Sequence, residues 1–137
     1  MFRRRLYTCI SSNLSENISK PEMCTGAWSA DGSDTMPWIE ANFNGLKTVS
    51  AITTQGRHDA DEWVTSYTVT YAHSSGNWGD VTDTTGNTLT FTANTDRSTA
   101  VTNSMPDGVV ATNVRLWPVT WKGHVSMRIM VQGCVGK

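Results

Sequence analysis

Between Trp63 and Tyr71 the chain alternates: Trp63, Thr65, Tyr67, Val69 and Tyr71 are mostly large, and the residues between them are mostly Ser and Thr. A period of two over this length predicts a β-strand with one buried face, and β-branched and aromatic residues fit a pleated surface. The run Val49 to Thr54 is also β-branched and predicts a second strand. Between them lies a polar and acidic stretch, Arg57 to Glu62. Thr53 to Tyr71 therefore reads as strand, loop, strand, with Arg57, His58, Asp59, Asp61 and Glu62 presented at one end of a core.

The rest of the chain follows the same pattern. Tyr7 to Ser12 is a candidate first strand, residues 13 to 23 form a polar loop carrying Leu14, Ile18 and Met23, and residues 25 to 36 form a second loop with the Gly, Asp and Ser content of turns. Pro37 introduces a strand in which Ile39, Ala41 and Phe43 alternate with Trp38, Glu40 and Asn42, and Asn44-Gly45 predicts a tight turn after it. A short strand surrounds Trp78. Leu89 to Ala93, Ser98 to Asn103 and Val109 to Trp117 are the next candidates. In the last strand Val125, Met127, Ile129 and Val131 face one way, and His124, Ser126, Arg128, Met130 and Gln132 the other. No helical periodicity lasts longer than a turn or two. Short strands broken at close intervals by turn residues predict an all-β fold of two packed sheets.

Composition supports this reading. A chain of 137 residues forms one domain, and folding at this size buries about two-thirds of the surface of the unfolded chain. A net charge of -1 argues against nucleic acid and against nonspecific binding to an anionic membrane. Arg3 to Arg5 reads as a solvated tail. No apolar run approaches the roughly 20 residues of a membrane span, and no apolar signal segment follows the arginines. The three cysteines Cys9, Cys24 and Cys134 allow three single pairings. A bond between Cys9 and Cys134 would close almost the whole chain, worth on the order of 4 to 5 kcal/mol in the chain-entropy view. Neither Gly-x-Ser-x-Gly, nor His-Glu-x-x-His, nor a phosphate loop is present, and His58, His73 and His124 lack metal-ligand spacing, so the chain is not read as an enzyme.

Four stretches carry a family likeness: PWIEANF at Pro37 to Phe43, TTQGR with WVTSYTVTY at Thr53 to Tyr71, FTANTDRSTAVTN at Phe91 to Asn103, and VRLWPVTWKGHVSMRIMVQGC at Val114 to Cys134. Together they resemble the discoidin domains, also called coagulation factor V and VIII C-type domains. The likeness runs over residues 9 to 134, leaving 1 to 8 and 135 to 137 as tails. It implies an eight-stranded jelly-roll β-sandwich with ligand loops at one end and a disulfide between Cys9 and Cys134. It also implies an extracellular, non-catalytic module of adhesion or matrix proteins that binds glycans, anionic phospholipids or protein partners. The first loop is short for the family. A second disulfide that some relatives carry falls on Ser29 and Ser126 and is absent, and Cys24 matches no family pairing, leaving a buried or free thiol or an intermolecular bridge.

By the same resemblance the ligand loops are 13 to 23, 25 to 36 and 57 to 62, with the turn Trp121 to His124 beside them. Arg57 falls where family members place a ligand-contacting arginine, and Glu62 and His124 line that groove in collagen-binding relatives. A planar guanidinium beside a carboxylate and an imidazole offers directional donors and acceptors to sugar hydroxyls or to a carboxylate. His58 adds a polar contact, and Trp28 or Trp121 an apolar surface. Trp38, Trp63 and Trp117 read as core or sheet residues. The plainer alternative is that Arg57 pairs with Asp59, Asp61 or Glu62 and only pins its loop. The three loops hold seven carboxylates against Lys20 and Arg57, a net charge of -5. Such a face repels phosphatidylserine, so a glycan or a protein ligand such as collagen is expected ahead of a phospholipid membrane. Asp31 and Asp34 flank a glycine turn with oxygen donors at close spacing and are candidate Ca²⁺ ligands, the one cofactor considered, with an ordinary Asx-type turn as the alternative.

Overall fold

The computed structural model describes residues 4–7, 28–30, 32–33, 35–73, 77–106 and 109–135. Among these, every regular element is a strand: β1 (Arg4–Tyr7), β2 (Trp28–Ser29), β3 (Trp38–Gln55), β4 (Trp63–Ala72), β5 (Trp78–Asp80), β6 (Phe91–Thr92), β7 (Val101–Ser104), β8 (Val110–Lys122) and β9 (Ser126–Val135). The fold is a jelly-roll β-sandwich. Strand β3 belongs to both layers. Its first part, Ile39 to Asn42, pairs antiparallel with β8, which in turn pairs with β4, while Lys47 to Gln55 pairs with β9 and Ala51 to Thr54 with β7.

Asn44-Gly45 does not reverse the chain as expected. Gly45 has φ +145°, a conformation that favours glycine, and the register between β3 and β8 shifts between Asn42 and Lys47. The result is a bend within one strand, which carries it from one layer to the other. The layers close on each other through Ile39, Tyr67, Val69 and Leu116 on one side and Ile52, Met127 and Ile129 on the other, all fully buried.

The alternation in β4 holds only in part. Tyr67 and Val69 point inward and Tyr71 packs against the core, but Val64, not Trp63 or Thr65, is the buried residue at the start of the strand. The register against β8 shifts on both sides of Ser66, and an unpaired extra residue on one strand reverses which parity faces inward. The same irregularity explains why β8 runs through Pro118 to Lys122 instead of ending at Trp117. Pro118 stands opposite Tyr67 beside the shift, where a missing ladder donor is tolerated. Val125, just before β9, and Met127, Ile129 and Val131 within it are buried as expected, and Ser126 and Met130 on the other face are buried as well.

Arg4–Tyr7, within the segment read as a tail, pairs in parallel with Trp38 to Ala41. Cys9, Cys24, Asp31, Asp34 and the loop 13 to 23 lie outside the described residues. Cys134 is placed by its backbone, opposite Thr48 in β9.

Trp38, Trp63 and Trp117, read as core or sheet residues, lie in β3, β4 and β8, and Trp78 begins β5. The central core cluster takes its rings from Phe43, Tyr67 and Phe91, and Trp38 is buried outside that cluster. Trp38 lies on the outer face of β3, its ring centre 5.8 Å from that of Trp117. The Arg115 guanidinium stacks on both Trp38 and Trp78, 3.7 and 3.9 Å from the ring centres, and donates to Glu40 at 3.0 Å.

Candidate functional site

The loop between β3 and β4 is tied down from below. Arg128, on the outward face of β9, donates through Nε to the Gly56 carbonyl at 2.8 Å and through Nη2 to the Arg97 carbonyl at 2.9 Å. Arg97 reaches forward and donates to Asp61 Oδ1 at 2.8 Å. Backbone bonds from Arg57 N to Glu62 O and from Gly56 N to Arg97 O close the loop. Neither arginine was singled out from the sequence, because their partners are backbone carbonyls or lie on another loop.

Gly56 is required here for space. A Cβ at this position would stand 2.8 Å from Trp63 Cβ and 2.9 Å from the Asp96 carbonyl oxygen. Gly56→Ala is expected to cost about 1 to 3 kcal/mol, the usual penalty of overpacking, and to displace the loop. Thermal unfolding together with amide shifts of residues 57 to 62 would check this, and an unchanged loop would refute the close packing.

On this base three of the predicted groups gather. Arg57 Nε donates to Asp59 at 2.7 Å and Nη1 to Glu62 Oε1 at 3.1 Å. Glu62 Oε1 also accepts from the buried Ser126 hydroxyl at 2.9 Å, and Ser126 lies 2.7 Å from the Ser29 hydroxyl. Two hydroxyls thus meet at the positions where some relatives carry their second disulfide. His124 Nε2 donates to the Ala30 carbonyl at 2.8 Å, joining the turn before β9 to the residue after β2, within the second loop. His58 is exposed beside Asp59.

The pairing of Arg57 with Asp59 and Glu62 is the loop-pinning arrangement weighed above, while Asp61 goes to Arg97. Pinning leaves the guanidinium side chain 37% exposed, with its orientation set by two carboxylates. The Ser126 hydroxyl, followed by Arg57, holds the Glu62 carboxyl below the usual glutamate range, and Arg57 does the same for Asp59. Because a depressed carboxyl favours the arrangement above its unfolded value, the network is lost only as pH falls through that lowered value. Ser126→Ala removes the main support of the Glu62 charge. It should raise the Glu62 pKa, as read by carboxyl-carbon NMR titration; an unmoved titration would show that Arg57 alone suffices.

Trp121 does not join this cluster. It lines a separate groove with Trp117, Pro118 and Met36. Trp28 is placed by its backbone, opposite Met127. Among the described residues no group of three or more His, Cys, Asp or Glu is arranged to hold a metal ion.

Comparison with known proteins agrees with this architecture. The F5/8 type C domain matches residues 10–131. Retinoschisin from Takifugu rubripes is 37% identical over 112 residues, which are 81% of this chain and 40% of that protein. Retinoschisin from Homo sapiens is 35% identical over the same share of this chain and 50% of its own length. The chain thus spans half or less of the length of these two curated relatives. Wild-type discoidin II from Dictyostelium discoideum superposes with a TM-score of 0.72 at 32% identity, covering 81% of this chain and 42% of that one. The family 32 CBM from C. perfringens NanJ in complex with galactose shares the fold at 16% identity and a TM-score of 0.56, covering 75% of each chain. With a match over nearly its whole length and a jelly-roll sandwich to accompany it, the chain belongs to the F5/8 type C domain family.

Proposed function

We propose that this chain is a non-catalytic extracellular module that recognises a cell-surface or matrix glycan in adhesion, with Arg57 as the principal contact and His58, Glu62 and His124 around it. The observation that carries the reading is the half-exposed Arg57 guanidinium, oriented in advance by Asp59 and by a Glu62 that Ser126 supports. A donor held in place before binding loses little side-chain freedom when a sugar hydroxyl or carboxylate arrives, so more of the contact energy is retained as affinity. Galactose bound by a C. perfringens CBM of the same fold supports a saccharide over a phospholipid. The acidic loop set supports the same choice.

The test is a glycan array probed with the intact chain, with and without Ca²⁺. Wild type is expected to bind a defined subset of glycans. Arg57→Ala is expected to weaken binding about tenfold or more, the worth of one hydrogen bond to a charged group, with an unchanged unfolding temperature. Dependence on Ca²⁺ would assign a cation to the Asp31 and Asp34 turn. Absence of any bound glycan, together with cosedimentation on phosphatidylserine vesicles, would replace this reading with membrane attachment.

A further inference from the structure

The loop 94 to 99, between β6 and β7, lies outside the three loops expected from the sequence to hold a ligand, yet it borders the third of them. The Gly56 N–H donates to the Arg97 carbonyl at 3.1 Å, and Arg128 holds the Gly56 and Arg97 carbonyls from below. The loop is also fixed from within. The Asn94 side-chain amide, fully buried, donates to the Thr54 and Thr99 carbonyls at 2.9 and 3.0 Å, and the Asp96 carboxylate accepts from the Ser98 and Thr99 N–H groups. From this frame Arg97 reaches to the 57 to 62 loop, where its Nε donates to Asp61 at 2.8 Å while its side chain stays 43% exposed. The N–H groups at its tip take no partner among the described residues.

An exposed ion pair adds little to stability, and the backbone of the loop is held without it. What the Asp61 bond does is fix the direction of the guanidinium. Arg97 therefore repeats the arrangement of Arg57: a half-exposed donor, oriented by a carboxylate before any ligand arrives.

We propose, resting on the glycan reading above, that Arg97 is a further ligand contact and that the rim takes an uncharged glycan of at least two sugar residues. Arg57 and Arg97 rise from neighbouring stretches of backbone but are drawn to different carboxylates, Arg57 to Asp59 and Glu62 and Arg97 to Asp61. They stand as two separate forks, so a sugar ring held by one leaves the other for the next residue of the glycan. Each fork offers coplanar donors to neighbouring hydroxyls. Charge then selects among glycans. The two guanidiniums and the three carboxylates that hold them sum to -1, so a sialic acid or a sulfate gains no net attraction, whereas a hydroxyl accepts from either fork without adding charge.

The experiment is an array of neutral glycans graded in length from single sugars upward, with sialylated and sulfated counterparts, probed with the intact chain. The sugars it retains are then titrated by NMR. Binding is expected to strengthen from one sugar residue to two. Arg97→Ala should weaken the longer glycans about tenfold, the worth of a hydrogen bond to a charged group, and leave the single sugar and the unfolding temperature unchanged. Arg97→Lys keeps the charge that meets Asp61 but not the planar fork, and should give an intermediate loss. Arg57→Ala should weaken both lengths. An Arg97→Ala variant that spares the longer glycans, or that weakens single sugar and longer glycan alike, overturns the Arg97 subsite while the glycan reading stands; the second result would make Arg97 a prop for the loop. Preference for the sialylated or sulfated counterparts overturns the uncharged class, and a wild type that binds no glycan overturns both readings.

Discussion

Tyr67→Ala lowers the stability of the domain by about 4 kcal/mol, the usual cost of removing a large buried ring, and its unfolding temperature by roughly 10 to 20 °C. Tyr67 is fully buried where the two layers meet, stacked on Phe91 with ring centres 5.5 Å apart. Its hydroxyl accepts from Asn103 at 3.2 Å. The neighbours come from β4, β6 and β7, which are paired into different ladders, so none can collapse into the space without breaking its own register. A loss below about 2 kcal/mol would mean that the core refills.

Tyr67 also sets an alkaline limit. Burial pushes its phenol up from 10.0 to about 12. The folded state therefore favours the neutral form, and stability is fully present below pH 10 and declines as pH rises from there through about 12. The loss over that window is on the order of 2 to 3 kcal/mol. Tyr67→Phe keeps the ring and leaves Asn103 its second acceptor, the Thr92 carbonyl at 2.9 Å. It should cost about 1 kcal/mol at neutral pH and flatten the alkaline decline. An equally steep decline in Tyr67→Phe would move its cause elsewhere.

Glu40→Ala is expected to cost about 3 kcal/mol, because it leaves a charge without its partner in a place that water reaches poorly. Glu40 is buried and accepts from Arg115 at 3.0 Å and from Asn113 at 2.6 Å. Arg115 cannot swing into solvent to compensate, since Trp38 and Trp78 hold its guanidinium. Replacing both partners by Met should recover most of the loss, as methionine packs well against aromatic rings and leaves no unpaired charge. A Glu40→Ala variant within about 1 kcal/mol of wild type would show that Arg115 finds water after all.

These two residues show how the chain divides its aromatic surface. Tyr67, Phe91 and Phe43 serve the core, while the larger indoles were left outside it to cover Arg115 and to wall a groove. Trp121 lines that groove, while Arg57 lies in the loop between β3 and β4.

Local patterning was enough to reveal the strands. Alternation in β9 placed Val125, Met127, Ile129 and Val131 in the core, because each position depends only on the period of an extended chain. The motifs around Arg57 likewise placed the polar loop at the end of β3. Long-range register decided the rest. The shifts beside Ser66 exchanged Trp63 for Val64, the bend at Gly45 turned an expected hairpin into a strand shared by two layers, and Pro118 stayed within β8. Ser29 and Ser126, 97 positions apart, came within 2.7 Å of each other and gave Glu62 its support. A strand's periodicity is a property of its own residues, whereas a bulge, a bend or a contact between distant hydroxyls exists only relative to the strand alongside.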